Sequence, residues 1–326
     1  MSHYLAHCGA DSAANPAARR VEVVEVGTRD GLQIESRLLP PEQKIDLINR
    51  MLDAGIRSIE VTSFVSPKAV PQLADAEVVL AGIARRPGMN LMALVPNQRA
   101  AQRAVATPVD AGVLLCSASE THNRKNVNRD IQTSLAGMAE VAETLHAAGK
   151  RVDGAIATSF GCPFEGEIDM NNLLKIASTY AALGARHITL GDTTGMATPA
   201  HIRATLGVLC ERLPEVDFGL HLHNTRGIGL ANVLVGLDLG IRRFDASVGG
   251  LGGCPFAAGA TGNICTEDLL FLLHECGWET GVDLDRAIAV AHHMEACLGK
   301  PLAGQVMRAG PRLRRYAVSD AASAVG

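Results

Sequence analysis

Two periods of apolar residues take turns along this chain. Short β-branched runs such as VEVVEV (Val21–Val26) give way to longer stretches in which apolar residues recur every three to four positions. In PEQKIDLINRMLDAG the recurring residues are Ile45, Ile48, Met51 and Leu52, with proline near the start and Gly55 at the end, the order expected of a helix. Strands are expected at Val21–Val26, Ile56–Phe64, Leu91–Val95, Val113–Cys116, Ala155–Ser159, His187–Leu190, Gly219–His223 and Phe244–Val248. A helical segment follows each, Asp75–Ile83 among them. Short strands separated by amphipathic helices pair in parallel through right-handed crossovers. Eight such units predict an α/β protein, a closed (β/α)8 TIM barrel, rather than an open doubly wound sheet, since no strand leads into GxGxxG. Residues 283–299 predict an additional C-terminal helix. No linker interrupts the pattern, so one catalytic domain is expected over 21–304, between a flexible leader at 1–20 and a flexible tail at 305–326.

In such a barrel the chemistry sits at the C-terminal ends of the strands. Those ends carry Arg29, Asp30 and Gln33, then Glu60 and Ser63, Asn97, SASETHNRKNVN, Thr189 and Asp192, His221 and His223, and finally GGLGGCPFAAGATGN. Each alone has a plain reading as a cap, turn former or solvated charge. Their convergence on one rim favours a site. In GLHLHNTRG a strand turns His221 and His223 to the same face, with Leu222 opposite. Two imidazoles side by side are either a bidentate grip on a metal or a hydrogen-bonded core pair. Asp30, His221 and His223, completed by an amide oxygen and water or substrate, suit an octahedral divalent cation, Mg²⁺ or Mn²⁺. Zinc suits them less, because no thiolate lies at ligand spacing. Cys254 sits among glycines in GLGGCP, a loop able to approach a ligand closely. Gly259 and Gly262 allow Asn263 to point back over the barrel, and Thr266-Glu267-Asp268 reads as the acidic first turn of a helix.

Composition narrows the classes further. A formal charge of −4 gives no electrostatic reason to expect nucleic acid or an anionic membrane as partner. No apolar run is long enough to span a bilayer, and the first twenty residues lack the apolar core of a secretory signal. The eight cysteines contain no CxxC pair, which argues against a zinc framework or a disulfide scaffold and for a reducing compartment, most simply the cytoplasm.

The motifs VEVGTRDGLQ, IEVTSFVSPKAVPQ, GCPFEG, LGDTTG, HLHNTRG and GLGGCPFAAGATGNICTEDL resemble the 3-hydroxy-3-methylglutaryl-CoA lyases, a branch of the metal-dependent TIM-barrel lyases and synthases. The resemblance runs from about Val21 to about Gly304. It implies retro-Claisen cleavage of a 3-hydroxy-3-substituted glutaryl-CoA to acetyl-CoA and a 3-oxo acid, in a homo-oligomer that takes a small acyl-CoA substrate. It places Asp30, His221, His223 and Asn263 on the metal ligands and Arg29 on the arginine that stabilises the enolate. Cys254 falls on the flexible-loop cysteine of catalysis, Glu60 on a supporting acid, and Gln33 and Ser63 on the lining of the substrate and metal region. The chain departs from the family pattern at Thr28, Ile34, Asn224 and Arg226, and at Ala155, where the family carries tyrosine facing the acyl group.

The chemistry is coherent on its own terms. A divalent cation chelated by the C3 hydroxyl and a carboxylate lowers the hydroxyl pKa. Asp30 or a ligand histidine takes the proton, Arg29 meets charge on the thioester oxygen, and His221 or Cys254 protonates C2. A synthase running the bond in the other direction, and a barrel that only binds CoA esters, are the competing readings. Ala155 leaves room for a C3 substituent bulkier than methyl, and Arg226 offers either a fork for a substrate carboxylate or an ion pair with an acidic neighbour.

Overall fold

The computed structural model describes residues 19–253 and 261–315. Eight parallel strands, β1 (Glu22–Glu25), β2 (Ser58–Ser63), β3 (Asn90–Leu94), β4 (Ala111–Ser117), β5 (Arg151–Ala157), β6 (His187–Asp192), β7 (Asp217–Leu222) and β8 (Arg243–Ala246), pair in chain order and close into a barrel. Closure comes from β1 pairing with both β2 and β8. The helices between and after them are α1 (Pro41–Asp53), α2 (Ala76–Gly82), α3 (Gln98–Val105), α4 (Glu120–Val127), α5 (Ile131–Ala147), α6 (Met170–Ala182), α7 (Pro199–Arg212), α8 (Gly229–Asp238), α9 (Thr266–Glu275), α10 (Leu284–Leu298) and α11 (Val306–Ala309).

The large core lies between the outer faces of the strands and the helices, and a small second cluster of Val24, Val26, Met92, Leu94, Ala111 and Val113 lies inside the barrel. The expected C-terminal helix is α10, with Asp283 accepting from the Arg286 amide at its start and Gly299 in the left-handed region at its end. Among the described residues no helix is long and apolar enough to cross a membrane, and no disulfide joins the described cysteines.

Several boundaries differ from those read in the sequence, three of them by enough to matter. Strand β5 begins at Arg151, not Ala155, so Ala155 is a mid-strand residue. Arg151 and Asp153 hide this in the sequence because polar inward residues interrupt the apolar run. In the fold they belong to a polar barrel floor, where Arg243 pairs with Glu22 at 3.4 Å and Asp153 at 3.8 Å. Within the tail expected from 305, the described residues 305–315 pack against the fold. Asp268 accepts from the amides of Gln305 and Val306, Met307 is buried, and Arg312 and Arg314 pair with Glu275 and Asp285. The ordered fold likewise starts before 21, since the Arg19 carbonyl accepts from the Glu279 amide.

Candidate active site

After β1 the chain makes one wide turn, Gly27–Gly31, in which the amides of Arg29, Asp30 and Gly31 all point at the Val26 carbonyl. This turn aims two adjacent charged side chains over the barrel mouth. The Arg29 fork is shared: Nη1 donates to Asp30 Oδ1 at 2.9 Å and Nη2 to Glu60 Oε2 at 2.7 Å, from β2. Gln33 Nε2 donates to the same Asp30 oxygen at 2.9 Å.

His221, in β7, and His223, just past its end, turn their rings to the same side as expected. Their Nε2 atoms are 3.1 Å apart and lie 3.8 and 3.9 Å from Asp30 Oδ2. Asn263 joins them from the far side of the glycine loop, bridging backbone to His223 and donating Nδ2 to Asp30 Oδ2 at 2.7 Å. Gly252 sits against this contact at φ +104°, and a Cβ there would lie 2.6 Å from Asn263 Nδ2. Only glycine fits both the backbone and the space.

Electrostatics sharpens the arrangement. Burial alone would push the Asp30 carboxyl up, but Arg29, His221, His223 and the Asn263 hydrogen bond hold it at about 2. Burial and the neighbouring His221 push His223 down to about 4, so it is neutral and free to donate a lone pair. Burial opposes charge on His221 too, yet its hydrogen bond to Asp245 and the Asp30 and Asp245 charges raise it. Arg29 is held firmly protonated against its burial by Glu60 and Asp30.

These residues fit a divalent cation. Ligand atoms of Asp30, His221 and His223 lie within 4.8 Å of one another, and Asn263 Oδ1 is buried with no partner. One carboxylate, two imidazoles and an amide oxygen match the hard-to-borderline donors that Mg²⁺ or Mn²⁺ accept. A cavity of about 810 Å³ opens beside them, with Gln33, Glu60, Ala155 and Thr189 on its wall.

Three expected substrate residues are placed otherwise. The Ser63 hydroxyl accepts from the Val65 amide in a local turn and does not line the cavity. Asp192 Oδ1 accepts from the amides of Met196 and Ala197, organising the loop after β6. Arg226 is exposed, donates to the carbonyls of Thr194 and Gly195, which ties two loops together, and its charge acts on the acidic neighbour Asp192. Cys254 lies outside the described residues.

Two functional carboxylates escaped the sequence reading. Asp245 in β8 accepts from His221 Nδ1 at 3.2 Å, which fixes the ring so that Nε2 faces Asp30. Its only sequence signal is an acid in the middle of an apolar strand. Carboxylates behind ligand histidines set tautomer and basicity. Asp245→Ala is therefore expected to weaken metal affinity about 10–100-fold. Chelator competition measures this, and unchanged affinity would remove Asp245 from that role.

The second is Glu25, fully buried, whose Oε1 accepts from the amides of Gly27 and Val248 and whose Oε2 accepts from Thr266 Oγ1. It holds together the segments that carry Asp30, the glycine loop and Asn263. Burial lifts its carboxyl to about 7 against its three hydrogen bonds. A raised carboxyl binds its proton more tightly folded than unfolded, so its stabilising contribution is full below about pH 4.5 and is lost as pH rises to about 7. Glutamine keeps the two amide hydrogen bonds on its oxygen and can donate Nε2 to Thr266 Oγ1, reversing the third, without charge. Glu25→Gln is expected to be more stable than wild type at pH 8, by at most about 3 kcal/mol, with the gap closing toward pH 5. Urea unfolding at the two pH values checks the sign.

The HMGL-like family profile matches residues 20–294. The chain is 40% identical over 287 residues to the hydroxymethylglutaryl-CoA lyase YngG of Bacillus subtilis, covering 88% of this chain and 96% of that one. It is 41% identical over 302 residues to the (R)-citramalyl-CoA lyase of Chloroflexus aurantiacus, covering 89% and 95%. Its fold superimposes on an HMG-CoA lyase from Acinetobacter baumannii, solved with coenzyme A and 3-methylmalate, with a TM-score of 0.88, 43% identity and 93% and 99% coverage. With its barrel, its strand-end site and near-complete coverage of these relatives, the chain belongs to the HMGL-like family of carbon–carbon lyases.

Proposed function

We propose that this protein is a divalent-metal-dependent lyase that cleaves a 3-hydroxy-3-methylglutaryl-CoA-like thioester to acetyl-CoA and a 3-oxo acid, acetoacetate for the methyl compound. The observation that carries this reading is the joint placement of Arg29, Asp30, His221, His223 and Asn263 over one cavity. A protein that only binds CoA esters has no need of a buried arginine fixed beside a metal-ligating carboxylate. Lyase names among the relatives favour cleavage over synthesis.

Asp30, His221, His223 and Asn263 would hold the cation. When bound, it acidifies the substrate's C3 hydroxyl and orients it. Asp30 or His221 accepts the hydroxyl proton. The O–H electron pair becomes the new C=O bond of the 3-oxo acid, and the C2–C3 pair departs to C2 and the thioester oxygen as an enolate. Arg29 faces that oxygen, and the Glu60 and Asp30 carboxylates keep its fork from swinging away, so its charge is in place before the bond breaks. His221 or Cys254 then returns one proton to C2, giving acetyl-CoA.

The test is incubation of the purified protein with Mg²⁺ or Mn²⁺ and 3-hydroxy-3-methylglutaryl-CoA, with acetyl-CoA and acetoacetate followed by mass spectrometry. Equimolar products that vanish with EDTA and return with metal are expected. Thioester hydrolysis without C–C cleavage would overturn the reading.

A further inference from the structure

The cavity has an inner arm that the chemistry above does not use. Branched aliphatic side chains ordinarily fill the interior of an eight-stranded barrel in layers. Here three cavity-lining positions on β5 and β6 are Ala155, Ala157 and Gly191. Register sets Gly191 beside His221, and Ala155 between Leu115 and Thr189. The hollow thus begins next to a metal-ligating histidine and continues into the barrel past Ala155.

Part of its remaining wall is apolar, while Thr189, Asp153 and Asp245 also line the cavity. Met92, Leu94, Val113 and Leu115 line it and belong to, or pack on, the inner hydrophobic cluster. Arg243 lies at the floor with Nη2 3.1 Å from Met92 Sδ, its charge committed to Glu22 and Asp153. The arm therefore offers apolar contact along β3, β4 and Ala155, and the arginine at its end is paired with two carboxylates. A pantetheine chain must leave toward solvent and cannot use it. With the C3 hydroxyl and the free carboxylate at the ligand cluster and the thioester oxygen at Arg29, the group left to enter the arm is the branch on C3.

We propose that this arm binds the C3 branch and that the preferred substrates are 3-hydroxy-3-alkylglutaryl thioesters whose branch is an alkyl chain of several carbons rather than methyl. The proposal rests on the lyase reading, and it assigns Met92, Leu94, Val113, Leu115 and Ala155 as specificity-determining residues. Methylenes seated in an apolar pocket each change selectivity on the order of 10-fold, so a butyl branch is expected to exceed methyl in kcat/KM by at least 10-fold.

The test pairs a panel of CoA thioesters carrying methyl, propyl, butyl and hexyl branches with Ala155→Phe and the milder Ala155→Leu, each variant first checked for cooperative unfolding. The expected result is a wild-type optimum at propyl or longer. Filling the arm should lower the butyl-to-methyl ratio of kcat/KM by at least 10-fold. If the methyl compound is cleaved best and the ratio is unmoved in both variants, the arm does not select the branch, while the lyase reading stands. If no thioester in the panel yields acetyl-CoA with Mg²⁺ or Mn²⁺, the lyase reading falls and takes the proposal with it.

Discussion

His223→Ala is expected to abolish specific metal binding and reduce kcat/KM by at least about 10³-fold while the barrel stays folded. The loss follows from how the site is divided. Asp30 is held by three neighbours besides the histidines, and His221 is held by Asp245. Neither depends on His223 for its position. What His223 supplies is a neutral imidazole nitrogen, kept neutral by burial and by the proton-attracting His221 beside it. Removing it leaves one imidazole and one carboxylate as strong donors, too few to hold a divalent cation against bulk water. His223 is 3% exposed, so truncation opens a small void at the end of β7, and destabilisation of about 1–2 kcal/mol is expected alongside. Metal content by mass spectrometry after dialysis, measured with thermal unfolding, separates the two effects. Wild-type metal stoichiometry in a folded variant would refute the ligand assignment and return the histidines to the hydrogen-bonded core pair that their 3.1 Å contact also describes.

Arg29→Lys is expected to lower kcat by about 10²–10³-fold with little change in KM, the size of effect seen when one donor to a developing oxyanion is lost. Lysine keeps the positive charge but not the planar fork. In the structure the two ends of that fork are fixed to carboxylates of different segments, Asp30 in the turn after β1 at 2.9 Å and Glu60 in β2 at 2.7 Å. An ammonium group can satisfy one of them or sit between both, and in either case it leaves the place proposed for the guanidinium opposite the thioester oxygen. Retaining the charge also keeps the buried carboxylates compensated, so loss of activity is not confounded by unfolding. Steady-state kinetics decides the matter. A variant with near-normal kcat and a greatly raised KM would make Arg29 a docking residue for the thioester instead of a participant in bond cleavage.

Much of the scaffold is legible in the chain itself, for a local reason. Helix and strand periods, caps and breakers act over a few residues. Hence the eight strand–helix units, the caps of α10 at Asp283 and Gly299, and the shared face of His221 and His223 can all be read from neighbouring letters. The adjacency of Arg29 and Asp30 is of the same kind. Once a closed barrel is inferred, its geometry brings β1, β2 and β7 to one mouth and so gathers Asp30, Glu60 and the histidines.

Tertiary structure decided whatever depends on partners distant in sequence. Asp245 reaches His221 because β7 and β8 are in register at those two residues, and register is set by the whole closed sheet. Glu25 acquires its three donors from segments more than two hundred residues apart. Ser63, Asp192 and Arg226 stand at strand ends or just beyond them, where sequence alone makes them candidates. Each instead bonds to nearby backbone groups, Asp192 through one of its two oxygens, a competition that only the folded loops resolve. The inner arm belongs to the same class. Ala155, Ala157 and Gly191 are ordinary small residues in the chain, and they become a hollow only when adjacent strands set them side by side, facing inward, next to His221.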